Sequence, residues 1–123
     1  MEFDGLSNRV IGCAIEVHRH LGPGLLESVY RRCLEHELQA AGLRFAAERP
    51  IPVRYKDVDL ECGFRMDLLV EDELIVELKS VDRLLPIHDA QLLTYLRMAK
   101  LKVGLMINFQ TRLLRDGIRR FVL

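Results

Sequence analysis

Two strand-like segments that carry charged residues at otherwise apolar positions constrain the fold of this chain most strongly. Residues 64–70 read Phe-Arg-Met-Asp-Leu-Leu-Val, residues 74–79 read Leu-Ile-Val-Glu-Leu-Lys, and a Glu-Asp-Glu turn separates them. Short apolar runs on either side of a polar turn are typical of neighbouring β-strands. A charged side chain within such a strand is costly to bury unless it is paired or binds a metal. The two segments therefore predict a sheet that carries a charged site.

Strand geometry would bring three of these charges together. Successive side chains alternate between faces, so Glu77 and Lys79 share one face of their strand. If residues 71–73 form a three-residue loop, Asp67 lies opposite Glu77 on that face; a two-residue loop would place it opposite Val76 and require a bulge. Two carboxylates this close repel each other and favour a shared proton or a cation. Oxygen ligands with open positions suit Mg²⁺ or Mn²⁺.

The chemistry that matches this patch is hydrolysis of a phosphodiester bond. A divalent cation would polarise a phosphate oxygen and activate a water molecule. Lys79 would orient that water or stabilise the growing negative charge. The alternative is structural, with Lys79 in a cross-strand salt bridge to an acid. An Asp followed about ten residues later by Glu-x-Lys is too common a pattern to decide between the two readings.

A helical segment supplies a third carboxylate. Gly24, Glu27 and Tyr30 recur at three-residue intervals and line one face of a helix predicted over residues 25–41. That face flanks the apolar stripe, so Glu27 would point at the sheet and complete a metal site or hold a water of the metal. The alternative is that Glu27, in the first turn, only complements the helix dipole.

The remaining segments complete an α/β pattern in the order ααβββαββ, a mixed sheet flanked by helices in a single domain of residues 1–123. Ser7 is predicted to cap the first helix and Gly42 to end the second. Prolines at positions 50 and 52 predict that the first strand lies at an edge. The predicted helices span residues 7–20, 25–41 and 87–100, and the predicted strands span residues 49–55, 60–70, 74–80, 102–108 and 117–123.

Gln91 is an accessory candidate on the third helix. It shares a face with Tyr95, one turn further on, and an amide beside the site would orient a phosphate or Lys79. The alternative is that Gln91 and Tyr95 are partly buried polar residues that their neighbours satisfy.

Net charge indicates no particular partner, because 18 Lys and Arg balance 18 Asp and Glu. The charge is uneven, however, since residues 97–123 are basic and contain Asp116 as their only acid. Such a segment would contact a nucleic-acid backbone, although a solvated basic face is the alternative. The candidate contacts are Arg112, Arg115, Arg119 and Arg120.

The cysteines and the apolar runs bear on location. Three cysteines lie far apart without a Cys-x-x-Cys pair, which speaks against a disulfide framework or a zinc knot and suits a reducing cytoplasm. No apolar run approaches the length of a membrane span, and the first residues lack the features of a secretory signal. The expectation is a cytoplasmic protein with no membrane partner.

The pattern Gly24-x-x-Glu27-x-x-Tyr30 resembles the motif after which the bacterial GxxExxY proteins are named. The resemblance extends over nearly the whole chain, in blocks at residues 10–18, 21–24, 64–67, 76–79, 90–96 and 104–109. That family is grouped with the PD-(D/E)XK nuclease-like superfamily. The resemblance implies a restriction-endonuclease-like core, with Gln91 as an accessory and a site formed by Glu27, Asp67, Glu77 and Lys79. Met66 stands where the superfamily name has Pro, at a position that carries no ligand.

The leading hypothesis is a nuclease that depends on Mg²⁺ or Mn²⁺ and acts on DNA or RNA. Asp67 and Glu77 would be direct ligands, Leu78 would contribute its backbone carbonyl, Glu27 would bind directly or through water, and Lys79 would act as base or stabiliser. The alternative is a nuclease-fold module that no longer cuts and binds nucleic acid or a protein partner. A homodimer is compatible with both, because symmetric dimers are the commonest oligomers.

Overall fold

The computed structural model describes residues 4–61 and 63–123. In chain order the elements are α1 (Gly5–Leu21), α2 (Glu27–Ala40), β1 (Phe45–Pro50), β2 (Val53–Tyr55), β3 (Val58–Leu60), β4 (Arg65–Val70), β5 (Leu74–Lys79), α3 (Pro86–Ala99), β6 (Val103–Asn108), a 3₁₀ turn (Leu114–Gly117) and β7 (Ile118–Val122). Five strands form one sheet in the order β1-β4-β5-β6-β7, whereas β2 and β3 pair with each other. Among the strands of the described residues, only β5 and β6 pair in parallel. Without the β2–β3 hairpin, the order is the predicted ααβββαββ.

The central strands are apolar on both faces because helices cover both. Val76 and Leu78 of β5 belong to a core that contains buried residues of α1 and α2. Ile75, on the opposite face of β5, packs in a second core with Leu92 and Leu96 of α3. Burial on two faces explains why β5 and β6 read as continuous apolar runs rather than as alternating ones.

The predicted extents of the first two strands are wrong. The strand expected over residues 49–55 is divided, since β1 ends at Pro50 and β2 begins at Val53. Its edge position is confirmed, because β1 borders β4 alone. The strand expected over residues 60–70 is also divided between β3 and β4, and Cys62, which falls in that prediction, lies outside the described residues. The cause is a separate hairpin whose side chains are mostly exposed, so no core pattern marks its ends.

The predicted cap of α1 is wrong by three residues. Asp4 has an extended backbone, and its Oδ1 accepts a hydrogen bond from the Ser7 amide at 2.8 Å. Ser7 is buried and donates its hydroxyl to Asp4 Oδ2, also at 2.8 Å. Gly42 does follow the end of α2, with a φ of 74° that favours glycine. In residues 4–61 and 63–123, no helix is long and apolar enough to cross a bilayer.

Candidate active site

The turn between β4 and β5 sets the register that the site requires. Residues 71–73 form the loop, and Val70 pairs with Leu74. The pairing continues to Leu68 and Val76 and stops there. The next residues along the two strands are Asp67 and Glu77. By strand alternation they share a face with Leu69 and Ile75, which is the face that α3 covers at the centre of the sheet.

Carboxylates replace the backbone ladder at this point. The Leu78 amide donates to Asp67 Oδ2 at 2.8 Å, and the Asp67 amide donates to Glu77 Oε1 at 3.1 Å. Each carboxylate therefore satisfies a main-chain donor that a regular sheet would have paired with a carbonyl. This arrangement fixes Asp67 and Glu77 beside each other where β4 and β5 separate.

Glu77 is a carboxyl group in an environment that disfavours its charge. Its side chain is buried, and burial together with the negative charge of Asp67 raises the pKa of Glu77 to about 8, while the Asp67 amide and Lys79 lower it in part. A pair of adjacent carboxylates in such a position holds a proton between them or binds a cation. Strand alternation with a three-residue loop predicts this adjacency of Asp67 and Glu77.

Lys79 lies on the same face of β5 as Glu77 and is partly buried. Its positive charge acts on Glu77. It forms no salt bridge within the part of the chain that the structure describes, so the cross-strand ion pair considered for it is not seen there. The ammonium therefore lowers the pKa of Glu77 in part without forming a salt bridge to it.

A cavity of about 210 Å³ joins Glu27 to Asp67 and Leu78. Glu27 is the first residue of α2, so the start of that helix forms one wall of the cavity. The same cavity is lined by three residues that the sequence argument did not single out, namely Ser28, Arg31 and Glu48. Arg31 could have been found from its spacing, because it follows Glu27 by one helical turn, but no sequence signal marks Glu48.

The donor set fits a Mg²⁺ or Mn²⁺ ion that keeps much of its water. Within residues 4–61 and 63–123, no group of three His, Cys, Asp or Glu side chains is placed to hold a metal ion. The adjacent pair Asp67 and Glu77 offers carboxylate oxygens alone as ligands. Mg²⁺ is commonly held by one or two carboxylates and several waters, so a pair is sufficient. Glu27, across the cavity, suits a contact through water.

Tyr30 holds the turn that places Glu27. Its hydroxyl donates to the Gly22 carbonyl at 2.6 Å and accepts from the Leu25 amide at 3.1 Å. Its ring is fully buried and stacks on Phe109, with 4.4 Å between centroids and 9° between planes. The tyrosine of the Gly24-x-x-Glu27-x-x-Tyr30 pattern therefore fastens the α1–α2 turn to the protein interior.

The same turn is tied to the end of the sheet. Gly24 has a φ of 104°, a conformation that favours glycine, and its amide donates to Gln110 Oε1 at 2.7 Å. The Ser80 hydroxyl donates to the Leu25 carbonyl at 2.6 Å. Ser80 directly follows Lys79, the last residue of β5. This hydrogen bond therefore connects the turn before Glu27 to the end of the strand that carries Glu77.

We expect Tyr30→Phe to lower the free energy of unfolding by about 1 to 3 kcal/mol, because it leaves the Leu25 amide and the Gly22 carbonyl without their shared partner. Urea unfolding followed by circular dichroism measures the change. Tyr55→Phe, at a ring that is 62% exposed, is the matched control and should change the free energy by less than about 0.5 kcal/mol. Equal effects of the two substitutions would contradict the role given to Tyr30.

Of the two α3 candidates, Tyr95 rather than Gln91 is the residue whose pKa the carboxylates change. Tyr95 is buried, and burial followed by the charges of Glu77 and Asp67 raises its pKa. Gln91 lies one turn earlier on α3 and is exposed, without a hydrogen bond to the residues described. The structure therefore shows no contact between Gln91 and the candidate site residues that it describes.

The four basic candidates at the C-terminal end differ in their environments. Arg119 Nη1 donates to both carboxylate oxygens of Asp89, at 3.0 and 2.8 Å, and Arg120 Nη2 donates to Asp4 Oδ2 at 2.5 Å. Arg112 and Arg115 instead line a second cavity of about 590 Å³ and form no ion pair with residues 4–61 or 63–123. Arg19, which pairs with Glu16 at 3.3 Å, lines the same cavity.

Comparison with known proteins gives one result. The family model of the PD-(D/E)XK nuclease superfamily matches residues 4–121. No curated protein and no solved structure matches the chain significantly. The match confirms the resemblance to the superfamily and the predicted fold class, an α/β restriction-endonuclease-like core, whereas the narrower GxxExxY grouping stays a prediction. With the match covering nearly all of its length, this chain belongs to the PD-(D/E)XK nuclease superfamily.

Proposed function

We propose that this protein is a nuclease that requires Mg²⁺ or Mn²⁺ and hydrolyses phosphodiester bonds of DNA or RNA. The observation that carries the proposal is the fixed pair of Asp67 and Glu77 at the separation of β4 and β5. Lys79 lies on the same face and forms no salt bridge with residues 4–61 or 63–123. In a structural ion-pair network Lys79 would form a salt bridge with one of these carboxylates, whereas no such bridge is seen among the described residues and Asp67 lines a cavity. Membership of a nuclease superfamily supports the same reaction class.

The residues take the following roles in the proposed reaction. Asp67, Glu77 and the Leu78 carbonyl hold the cation, and Glu27 orients a water molecule across the cavity. A bound divalent cation supplies the positive charge that polarises the phosphate and makes water more acidic. As an ammonium, Lys79 orients the attacking water or stabilises the charge that develops on the phosphate, and the proton of that water passes to solvent.

Substrate binding is proposed to involve Arg112 and Arg115. These two side chains are free of ion pairs with the residues described, so their charge is available to a nucleic-acid backbone. Arg119 and Arg120 would contribute less, because Asp89 and Asp4 offset their charges. With zero net charge on the whole chain, affinity should be modest and should fall as salt increases.

The test is titration calorimetry of Mn²⁺ into the wild type, Asp67→Asn and Lys79→Gln, with cleavage of plasmid and of single-stranded DNA and RNA assayed in parallel. We expect Asp67→Asn to lose Mn²⁺ binding and to lower cleavage by more than about 100-fold. Loss of a residue that only supports a metal ligand lowers activity by about 10- to 100-fold, so loss of a direct ligand should exceed that range. Lys79→Gln should lose cleavage to a similar extent but keep Mn²⁺ binding, since it removes no ligand.

Asp72→Asn is the matched control, because Asp72 lies in the exposed turn between β4 and β5. It should leave both metal binding and cleavage unchanged. A wild type that neither binds Mn²⁺ nor cleaves any of the substrates would reject the proposal. That result would favour a nuclease-fold module that binds nucleic acid or protein without cutting.

A further inference from the structure

Arg31 is a cation inside the acidic cavity of the candidate site. It follows Glu27 by one turn of α2, so the two side chains share a helix face. Glu27, Glu48 and Asp67 line the same cavity, and Arg31 is the only basic residue among the six described residues that line it. Its side chain is 21% exposed, so it is partly buried and remains accessible from the cavity.

Two acidic side chains, Glu48 and Glu35, hold the guanidinium of Arg31 in place. Nη1 donates to Glu48 Oε1 at 2.5 Å, and Nε lies 3.3 Å from Glu35 Oε2. Nε is a buried donor without a hydrogen bond of good geometry. Nη2 forms no hydrogen bond to residues 4–61 or 63–123. Arginine presents five donors on a rigid plane, so a group held in this way keeps donors available for a further acceptor.

Glu48 reaches Arg31 through an unusual backbone conformation. Its φ of 52° is in the left-handed region, which costs a residue other than glycine about 1 kcal/mol or more. Regular pairing between β1 and β4 is interrupted at this residue, between the pairs Ala47–Leu68 and Arg49–Met66. Across this interruption lies Asp67, so the same local irregularity of the sheet places the candidate metal ligand and the partner of Arg31 side by side.

The chemistry of the cavity indicates an anionic ligand for Arg31. A divalent cation held by Asp67 and Glu77 would offset the charges of these two carboxylates. Arg31 would then stand beside a second positive group, and the remaining acids among the described residues that line the cavity are Glu27 and Glu48. A phosphate oxygen bridging this space would contact both positive groups. Charge-assisted hydrogen bonds from arginine to phosphate are among the strong ones in proteins.

We propose that Arg31 binds a non-bridging oxygen of the phosphate that is hydrolysed, with Glu48 and Glu35 as the residues that position its guanidinium. This inference rests on the proposed nuclease function, and it adds a substrate-binding residue that the sequence patterns do not contain. Arg32, the next residue of α2, is exposed and does not line the cavity, so it provides a matched control on the same helix.

The experiment compares wild type, Arg31→Gln, Arg31→Lys, Glu48→Gln and Arg32→Gln in three measurements. These are steady-state cleavage kinetics, Mn²⁺ affinity by calorimetry, and binding of a fluorescent oligonucleotide by anisotropy with Ca²⁺ in place of Mn²⁺. We expect Arg31→Gln to lower kcat/KM by about 100-fold, as for loss of one donor to a developing charge. Glu48→Gln should lower it by about tenfold, and Arg31→Lys should fall between Arg31→Gln and wild type.

Mn²⁺ affinity separates phosphate binding from a purely structural role. Arg31→Gln should leave it unchanged or increase it, because the substitution removes a positive charge from beside the carboxylates. Loss of Mn²⁺ binding in Arg31→Gln would overturn the inference, since Arg31 would then support the fold of the site. Equal kcat/KM values for Arg31→Gln and Arg32→Gln would overturn it as well.

Oligonucleotide binding decides the inference even if the wild type cleaves nothing. In that case the proposed function fails, but weaker oligonucleotide binding by Arg31→Gln than by Arg32→Gln would still support a phosphate contact at Arg31. Identical affinities of these two variants would reject the contact, whatever the fate of the proposed reaction.

Discussion

Glu77→Gln is expected to abolish cleavage and, in the metal-free protein at pH 9, to raise the free energy of unfolding by about 2 to 4 kcal/mol. Both effects come from the same carboxylate. Burial and the charge of Asp67 raise the pKa of Glu77 to about 8 from its ordinary 4.5. Gln keeps a carbonyl oxygen that can accept the Asp67 amide but carries no charge, so it removes the repulsion and the metal ligand together.

The pH window of the effect follows from the direction of the shift. Below pH 4.5 the carboxyl is protonated in both the folded and the unfolded chain, so it adds no difference between them. Between pH 4.5 and about 8 the unfolded chain releases the proton while the folded one retains it, so the free energy of unfolding falls as the pH rises. Glu77→Gln should be free of this fall.

Chemical denaturation at pH 5, 7 and 9 with chelator present measures the difference. Glu73→Gln, in the exposed loop before β5, is the matched control and should follow the wild type at every pH. Added Mn²⁺ should stabilise the wild type more at pH 9 than at pH 5, because binding requires the deprotonated carboxylate, and should not stabilise Glu77→Gln. A wild type whose free energy of unfolding is independent of pH between 5 and 9 would show that folding does not raise the pKa of Glu77.

The elements around the site could be predicted because their signals are local. Strand alternation assigns Glu77 and Lys79 to one face, and Asp67 joins them if residues 71–73 form a three-residue loop. The sequence left a two-residue loop open, and the pairing of Val70 with Leu74 decides for the three-residue loop. The apolar runs of β5 and β6 are also local signals, and they predicted a buried pair of strands. Each of these inferences needs only neighbouring residues and the period of a strand.

The parts that could not be predicted depend on contacts between distant segments. The interruption of the sheet at Glu48 and Asp67 arises where β1, β4 and β5 meet, and the sequence near Glu48 carries no mark of it. The ion pair from Arg31 to Glu48 joins two elements and exists only because of that interruption. The C-terminal arginines read as one basic face, yet Asp89 and Asp4, far away in sequence, pair with two of them.

Gly117→Ala is expected to be among the most destabilising single-methyl additions in this protein, at about 3 kcal/mol. A Cβ at Gly117 would lie 2.2 Å from the backbone oxygen of Asn108 and 3.1 Å from Thr111 Cγ2. A backbone oxygen cannot yield without moving the end of β6. Asn108 also bonds both main-chain groups of Val81, at 3.1 and 2.9 Å, and pairs with Lys79 in the sheet. The disturbance would therefore reach the strand that carries the candidate site.

Two other glycines make the test specific, because the same methyl group meets different surroundings. At Gly104 a Cβ would lie 3.1 to 3.3 Å from side-chain atoms of Leu92, which can adjust, so Gly104→Ala should cost about 1 kcal/mol. Gly12 is exposed within α1 and has no atom within 4 Å of the new Cβ, so Gly12→Ala should stabilise by about 0.5 to 1 kcal/mol through helix propensity. Urea midpoints should rank Gly12→Ala above wild type, followed by Gly104→Ala and then Gly117→Ala. A Gly117→Ala protein as stable as Gly104→Ala would mean that the end of β6 can shift freely. The hydrogen bonds from Asn108 to Val81 would then not support the site rigidly.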